Sequence, residues 1–297
     1  MHALEICNLT KNYDGFRLEG LNLTLPSGYI MGLIGENGAG KSTTIKLILD
    51  MIHRDGGRIF LWGQENREAM PLLKQDIGVV LDDVGIPECL TAAQVGKIMA
   101  RTFSRWDGAL YDRYLQMLSL PLTKPFRAFS RGMKKKLGLA VALSHHPKLL
   151  LLDEAMSGMD PIVRDQVLEI LNGFTREESH AVLISSHIVS DLEKICDYVV
   201  FLHKGKRLLW GEKDALLEQY GWLSCSQEQL AAVEPSAIRG KKISPYGVQA
   251  LVLRDRIPAG MRVSRVDLEE LFIYLVKEAP DDGRVAAEGF LYDGQIL

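Results

Sequence analysis

The nine residues from Gly35 to Thr43, Gly-Glu-Asn-Gly-Ala-Gly-Lys-Ser-Thr, constrain this chain more than any others. They fit the phosphate-loop pattern G-x-x-x-x-G-K-[ST]. Ahead of them, Tyr29-Ile30-Met31-Gly32-Leu33-Ile34 is a short apolar run that predicts a buried strand. Behind them, Thr44-Ile45-Lys46-Leu47-Ile48-Leu49 has the spacing of a helix leaning on a sheet. Glycines let the backbone wrap closely around an anion, so that successive N–H groups and the helix N-terminus face phosphate oxygens. Lys41 then reaches the β- and γ-phosphates and the Ser42 hydroxyl ligates Mg²⁺. Gly35, Asn37, Gly38, Ala39, Gly40 and Thr43 complete the expected cradle. The expected ligand is a nucleoside triphosphate.

At 297 residues the chain is long enough for one large domain or a domain with an appendage. A net charge of −3 announces no polyanionic partner, so nucleic acid is not expected. The basic run Lys134-Lys135-Lys136 reads as a solvated helix face. Cys7, Cys89, Cys196 and Cys225 are scattered without C-x-x-C spacing and read as reduced thiols. No apolar run approaches the roughly 18 residues of a membrane span, and the N-terminus lacks a signal-peptide core. A soluble chain is expected, whose work at a membrane would need spans from another polypeptide.

Up to about residue 210, short apolar runs alternate with amphipathic helices, the mark of an α/β sheet core. Leu4–Leu9 and Leu18–Leu25 read as strands joined by a turn at Asp14-Gly15, and Arg58–Leu61 and Asp76–Val80 as strands around a polar helix. Thr91 to Leu120 is helical, with Thr91 as N-cap and a break at Trp106-Asp107-Gly108. Its apolar residues Val95, Ile98 and Phe103 read as core. Lys148–Asp153, Ala181–Ser185 and Tyr198–Leu202 are uninterrupted apolar strands, suited to a parallel sheet buried on both faces. Beyond Tyr220 one strand, Val248–Leu253, and one amphipathic helix carrying Leu268, Leu271, Phe272 and Leu275 are expected. Pro280–Arg284 reads as a flexible loop, and Gly289–Leu297 gives no reading.

A phosphate loop alone does not separate transporters from kinases, GTPases or helicases. Leu149 to Glu154 is an apolar strand ending in two carboxylates: Asp153 can hold Mg²⁺ through water and Glu154 can polarise the attacking water. Upstream lies Phe129-Ser130-Arg131-Gly132-Met133, opening a helix read as Lys135–His145. Ser130 is an N-cap residue, and Gly132 permits close approach of a phosphate. His145 and His146 sit near that helix's C-terminus, where its dipole accounts for them.

With these residues in order, the chain resembles the ATP-binding subunit of ATP-binding-cassette (ABC) transporters from Met1 to about Glu218. Phe129–Met133 stands where that family has its signature motif. Ser157-Gly158-Met159-Asp160 is similar to the D-loop, His187 to the switch histidine, and Tyr13 to the aromatic residue that stacks on adenine. The resemblance implies an α/β phosphate-loop cassette over residues 1–220: a mostly parallel core sheet flanked by helices, an antiparallel β subdomain and a helical subdomain at about 88–145. Residues 221–297 would be a small α/β extension, read as a packing element. It also implies that two cassettes, identical or homologous, face each other. Each ATP would lie between one phosphate loop and the other cassette's Ser130 and Gly132, with Asp160 nearby. Lys41, Ser42 and Asp153 would bind Mg-ATP, Glu154 would be the general base, and His187 would touch the γ-phosphate.

The chain departs from the family pattern where a glutamine usually follows the strand Ile77–Val80. Asp82 stands there, an acceptor-only carboxylate that can still ligate Mg²⁺ but adds negative charge near the γ-phosphate. Arg131 replaces a glycine of the signature and brings a guanidinium fork near phosphate; Lys134 stands where a glutamine is usual, and Ala155 replaces a proline. The leading expectation is an active ATPase, the motor of a separate integral-membrane permease, working in export. It would sit in the cytoplasm, peripheral to the inner face of the cell membrane, with Thr91–Leu120 receiving the permease. The alternatives are a soluble ABC ATPase of translation or DNA maintenance, and a regulatory module that uses ATP only as a dimerisation switch. Intact Glu154 argues against the last.

Overall fold

A computed structural model describes residues 1–245 and 247–278. In chain order it contains β1 (His2–Tyr13), β2 (Phe16–Pro26), β3 (Ile30–Gly35), α1 (Lys41–Ile48), β4 (Gly56–Leu61), β5 (Gln64–Glu65), α2 (Asn66–Leu73) and β6 (Ile77–Val80). Next come α3 (Ala92–Thr102), α4 (Gly108–Met117), α5 (Arg131–Leu143), β7 (Leu149–Asp153), α6 (Pro161–Phe174), β8 (Ala181–Ser186), α7 (Val189–Ile195), β9 (Tyr198–His203) and β10 (Lys206–Glu212). The rest comprises α8 (Lys213–Gln219), β11 (Tyr220–Cys225), α9 (Gln227–Ala231), β12 (Ile238–Ser244), β13 (Gly247–Leu253), β14 (Val263–Ser264) and α10 (Leu268–Glu278).

The central sheet has the order β10-β9-β3-β8-β7-β6. Its strands pair in parallel from β9 to β6, and β10 closes one edge antiparallel. Every residue of β3, β7 and β8 is buried, which is why these strands read as unbroken apolar runs. Each buried leucine of β7 contributes roughly 1.5–3 kcal/mol of transfer free energy, so the strand that ends in Asp153 is firmly seated. An antiparallel sheet, β2-β1-β4-β5, packs with α1 on one face of the central sheet. The other face carries α5, α6 and α7, with α3 and α4 beyond.

Most expected elements form, and their differences are local. β1 and β2 run longer than expected and turn at Asp14-Gly15, where Gly15 has φ +78°. Thr91 caps α3 in a reciprocal capping box with Gln94, and Asp107 caps α4 by accepting the Leu110 N–H at 2.8 Å. The helix expected from Lys135 starts at Arg131 and stops at Leu143. Its basic run is not a solvated face. Lys135 is buried, Lys136 donates to Leu118 O at 3.3 Å, and the Lys134 ammonium lies 4.9 Å from the Phe126 ring centroid.

His145 departs from the dipole reading. It is buried and stacked on Phe103 with centroids 3.9 Å apart, and burial, opposed by bonds to Val141 and Ile77, holds its pKa below the ordinary imidazole value. A neutral ring does not compensate a helix dipole. His146, outside the helix, lies 3.6 Å from the Asp107 carboxylate. Val95 is core as expected, but Ile98 is 44% exposed.

The C-terminal region is richer than its pattern. β11, β12, β13 and β14 form a third sheet, ordered β12-β13-β11-β14, with its own small apolar cluster around Leu223, Ala250 and Val252. α10 buries Leu268, Leu271, Phe272 and Leu275, and Phe272 meets Phe201 of the central sheet edge-on at 5.3 Å. Pro280–Arg284 and Gly289–Leu297 lie outside the described residues.

Candidate nucleotide site

The loop between β3 and α1 has the geometry its glycines predict. Gly38 at φ +83° and Gly40 at φ +111° adopt conformations that side chains resist. No side chain caps α1, so its first N–H groups are left facing the loop, the arrangement that receives an anion. The buried Lys41 ammonium donates to Gly35 O at 2.7 Å and Glu36 O at 3.1 Å, and lies 3.6 Å from Glu154 Oε1. Ser42 and Thr43 are half-buried beside it, while Asn37 and Gly38 are exposed and Ala39 is buried. The Ala39 carbonyl accepts the Gly205 N–H at 3.1 Å, which ties the loop to the turn after β9.

Across the loop, β7 ends in Asp153 and is followed by Glu154. A serine of the neighbouring strand holds both: Ser185 Oγ donates to Asp153 Oδ1 at 2.6 Å and accepts the Glu154 N–H at 3.1 Å. Glu154 has φ +50°, uncommon outside glycine. Its Oε2 meets His187 Nδ1 at 2.7 Å, and its Oε1 is buried without a hydrogen bond. A buried carboxylate oxygen lacking a donor is costly unless a ligand supplies one. The structure therefore brings Lys41, Glu154 and His187 into one contact chain, with Asp153 alongside. Ser185 is the member that motif reading missed; a polar residue in the otherwise apolar run Ala181–Ser185 was its only signal.

The remaining candidates flank this centre. Tyr13, 47% exposed, ends β1. Phe16, 6.4 Å from it, packs so close that a Cβ on Gly40 would come within 3.1 Å of its ring. The β1–β2 hairpin thus presents its aromatics beside the phosphate loop. Ser130 caps α5, accepting the Met133 N–H at 3.3 Å. Gly132 is buried beneath the Ser157–Asp160 loop, where an added Cβ would come within 2.5 Å of Gly158 O. Asp160 caps α6 through the Val163 N–H at 3.1 Å.

Asp82 Oδ1 accepts from Arg131 Nη2 and Lys135 Nζ, each at 3.0 Å. Partial burial pushes its pKa up, but the Lys135 and Arg131 contacts outweigh that and hold it below the usual carboxylate range. Among the described residues no cluster of three His, Cys, Asp or Glu side chains could bind a metal by themselves. Ser42, Asp153 and Asp82 are of the ligand type Mg²⁺ takes, one or two carboxylates together with substrate phosphates.

A phosphate loop on a parallel sheet, facing a strand that ends in Asp-Glu, with a histidine on the glutamate, defines a nucleotide-hydrolysing cassette. Residues 18–157 match the family described as ABC transporter. The bacitracin transport ATP-binding protein BcrA of Enterococcus faecalis is 33% identical over 207 residues, 69% of this chain and 67% of that one. The lantibiotic transport ATP-binding protein SrtF of Streptococcus pyogenes is 34% identical over 71% of this chain and 91% of its own. A solved structure of an ATP-binding subunit of an ABC transporter superposes with a TM-score of 0.66 at 28% identity, covering 73% of this chain and 92% of that one. The chain belongs to the ATP-binding proteins of ABC transporters, and it is an ATPase.

Proposed function

We propose that this ATPase drives an exporter whose membrane-spanning permease is a separate polypeptide, and that Glu154 is the general base. The observation that carries the chemistry is the Glu154 carboxylate, held between Lys41 and His187 with one oxygen unbonded. Lys41 moves from the carbonyls of Gly35 and Glu36 to the β- and γ-phosphates, exchanging neutral acceptors for charged ones. Glu154 takes a proton from the attacking water, the water oxygen bonds the γ-phosphorus, and the bond to the β-phosphate oxygen breaks to release ADP. His187 orients Glu154 and contacts the γ-phosphate. Mg²⁺, held by Ser42, Asp153 and Asp82 together with phosphate oxygens, would neutralise charge on the β- and γ-phosphates. Tyr13 takes the adenine. Ser130 and Gly132 of a second cassette, a copy or a homologue, cover the triphosphate from the other side, with Asp160 at the joint.

Residues 1–220 are proposed as the cassette, with its helical subdomain at about 88–145, and residues 221–297 as an accessory unit. The permease site is proposed where apolar side chains reach the surface. A groove of about 400 Å³ is lined by Leu49, Met51, Met70, Ile77 and Val79, and Met51 is 57% exposed. Lys74 closes it, and the adjacent Gln75 bonds Thr102 O at the end of α3, one turn beyond exposed Ile98. Named relatives serve bacitracin and lantibiotic transport, which supports export. No described helix is long and apolar enough to cross a membrane, and the proposed location is the cytoplasmic face, on the permease. Met51→Asp with Ile98→Asp should abolish co-purification with a polytopic membrane protein while the isolated chain keeps its ATPase rate. Retention of that partner by the double variant refutes the docking site.

A further inference from the structure

Lys135, in the middle of the basic run, is 1% exposed. Its ammonium donates to Leu81 O at 2.8 Å, to Asp82 Oδ1 at 3.0 Å and to Asp153 O at 3.4 Å. Three N–H donors meet three acceptors, so the group is fully used. Those acceptors lie on two separate segments: the loop leaving β6, and the peptide that joins Asp153 to Glu154. Lys135 rides on a third, α5, one turn behind Arg131, which grips the same Asp82 oxygen.

Stability alone does not account for a lysine here. Taking an ammonium out of water costs several kcal/mol, and well-packed apolar residues in place of a buried ion pair are often neutral or stabilising. What the lysine supplies is geometry. A leucine could fill the volume but could not join a helix, a loop and the carbonyl beneath the catalytic carboxylate at one point. Glu154, at φ +50° and with one oxygen unbonded, depends on where that peptide sits.

We propose that Lys135 is a positioning residue for hydrolysis, fixing the Asp153–Glu154 peptide to the β6 loop and to α5 so that the three move as one body. The proposal rests on Glu154 acting as the base. Since Ser130 caps α5 and Gly132 lies in its first turn, a shift of that helix end reaches the catalytic strand of the same chain through this ammonium.

The test is a double-mutant cycle of Lys135→Met and Asp82→Asn, read by turnover, ATP binding and the urea midpoint. Lys135→Met should lower kcat about 10–100-fold, the scale of a misplacement near 1 Å, with ATP Kd within about threefold of wild type. In the Asp82→Asn background, Lys135→Met should raise the urea midpoint, because it removes a buried charge that has lost its hydrogen-bonded carboxylate, yet lower kcat by about tenfold or more. A positioning group moves these two readouts in opposite directions; a mere counter-ion for Asp82 does not. The proposal is overturned if Lys135→Met stays within about twofold of wild-type kcat, or adds nothing to Asp82→Asn, or weakens ATP binding in step with turnover. Should a single variant fail to fold, the neutral double variant decides: kcat within about threefold of wild type overturns the proposal. Undiminished turnover by Glu154→Gln would instead remove the general-base reading, an outcome separate from the Lys135 cycle.

Discussion

Replacing Glu154 by glutamine changes almost nothing but the ability to take a proton. The side chain is 12% exposed, so bulk water does not substitute for it. Glutamine has the same length and keeps a hydrogen-bonding terminus toward His187, which sits 2.7 Å from Oε2. The negative charge 3.6 Å from the Lys41 ammonium is lost, and with it the carboxylate's basicity. General-base catalysis contributes about 10²–10⁴-fold, equivalent to roughly 2.7–5.4 kcal/mol of activation free energy. Turnover should fall by that range. ATP affinity should hold or rise, because an anion leaves the pocket that receives a polyanion. Steady-state phosphate release gives kcat, equilibrium titration gives the ATP Kd, and a urea melt confirms the fold. Wild-type turnover refutes the assignment; so does a loss of turnover matched by a loss of binding, which would make Glu154 a binding residue instead.

Ser185→Ala removes one hydroxyl that serves both Asp153 and the Glu154 N–H in a fully buried setting. It should cost about 1–3 kcal/mol in a urea melt and reduce turnover as well; an unchanged midpoint would show that the serine is dispensable. His145 supplies a pH dependence. Burial depresses its folded pKa below the ordinary 6.5, so its stabilising contribution is fully present above the unfolded value and is lost as pH falls through the lower folded one. The protein should lose stability on acidification below about pH 6.5, and His145→Phe, which keeps a ring against Phe103, should flatten that limb. An unchanged acid limb in the variant removes His145 as its cause.

The phosphate loop, the Asp153-Glu154 pair and the placement of His187 were legible because each is a backbone motif written in contiguous residues. Gly38 and Gly40 sit where the loop needs positive φ, and β7 announces itself by four consecutive buried leucines. Ser185 was not legible as a site residue, since its role depends on which strand lies beside β7. Lys135 misled for a related reason. Three consecutive lysines on a helix read as solvated, but they point in different directions, and only the middle one turns inward to Asp82. His145 misled because the helix ends at Leu143, leaving the ring free to pack on Phe103. In the C-terminal sheet, β12 is mostly exposed and carries Lys241 and Lys242, so no apolar alternation marked it.

Two departures from the family pattern, Asp82 and Arg131, touch each other and meet the buried Lys135. Asp82 lies 49 residues from Arg131 and 53 from Lys135, yet one of its oxygens takes a hydrogen bond from each. A glutamine at position 82 would leave the buried Lys135 ammonium without the carboxylate it bonds. An aspartate there without the two cations would be a bare carboxylate, which is how it reads in isolation. Together the three groups carry one net positive charge, so the site gains no net repulsion toward phosphate. The two contacts differ in strength for a physical reason. Arg131 and Asp82 are 63% and 50% exposed, and such a pair is worth only about 0–1 kcal/mol. Lys135 is shielded from water and cannot release Asp82 without losing the carboxylate that its buried ammonium bonds. Arg131 can therefore exchange Asp82 for another anion at little cost, while Lys135 holds the carboxylate in place.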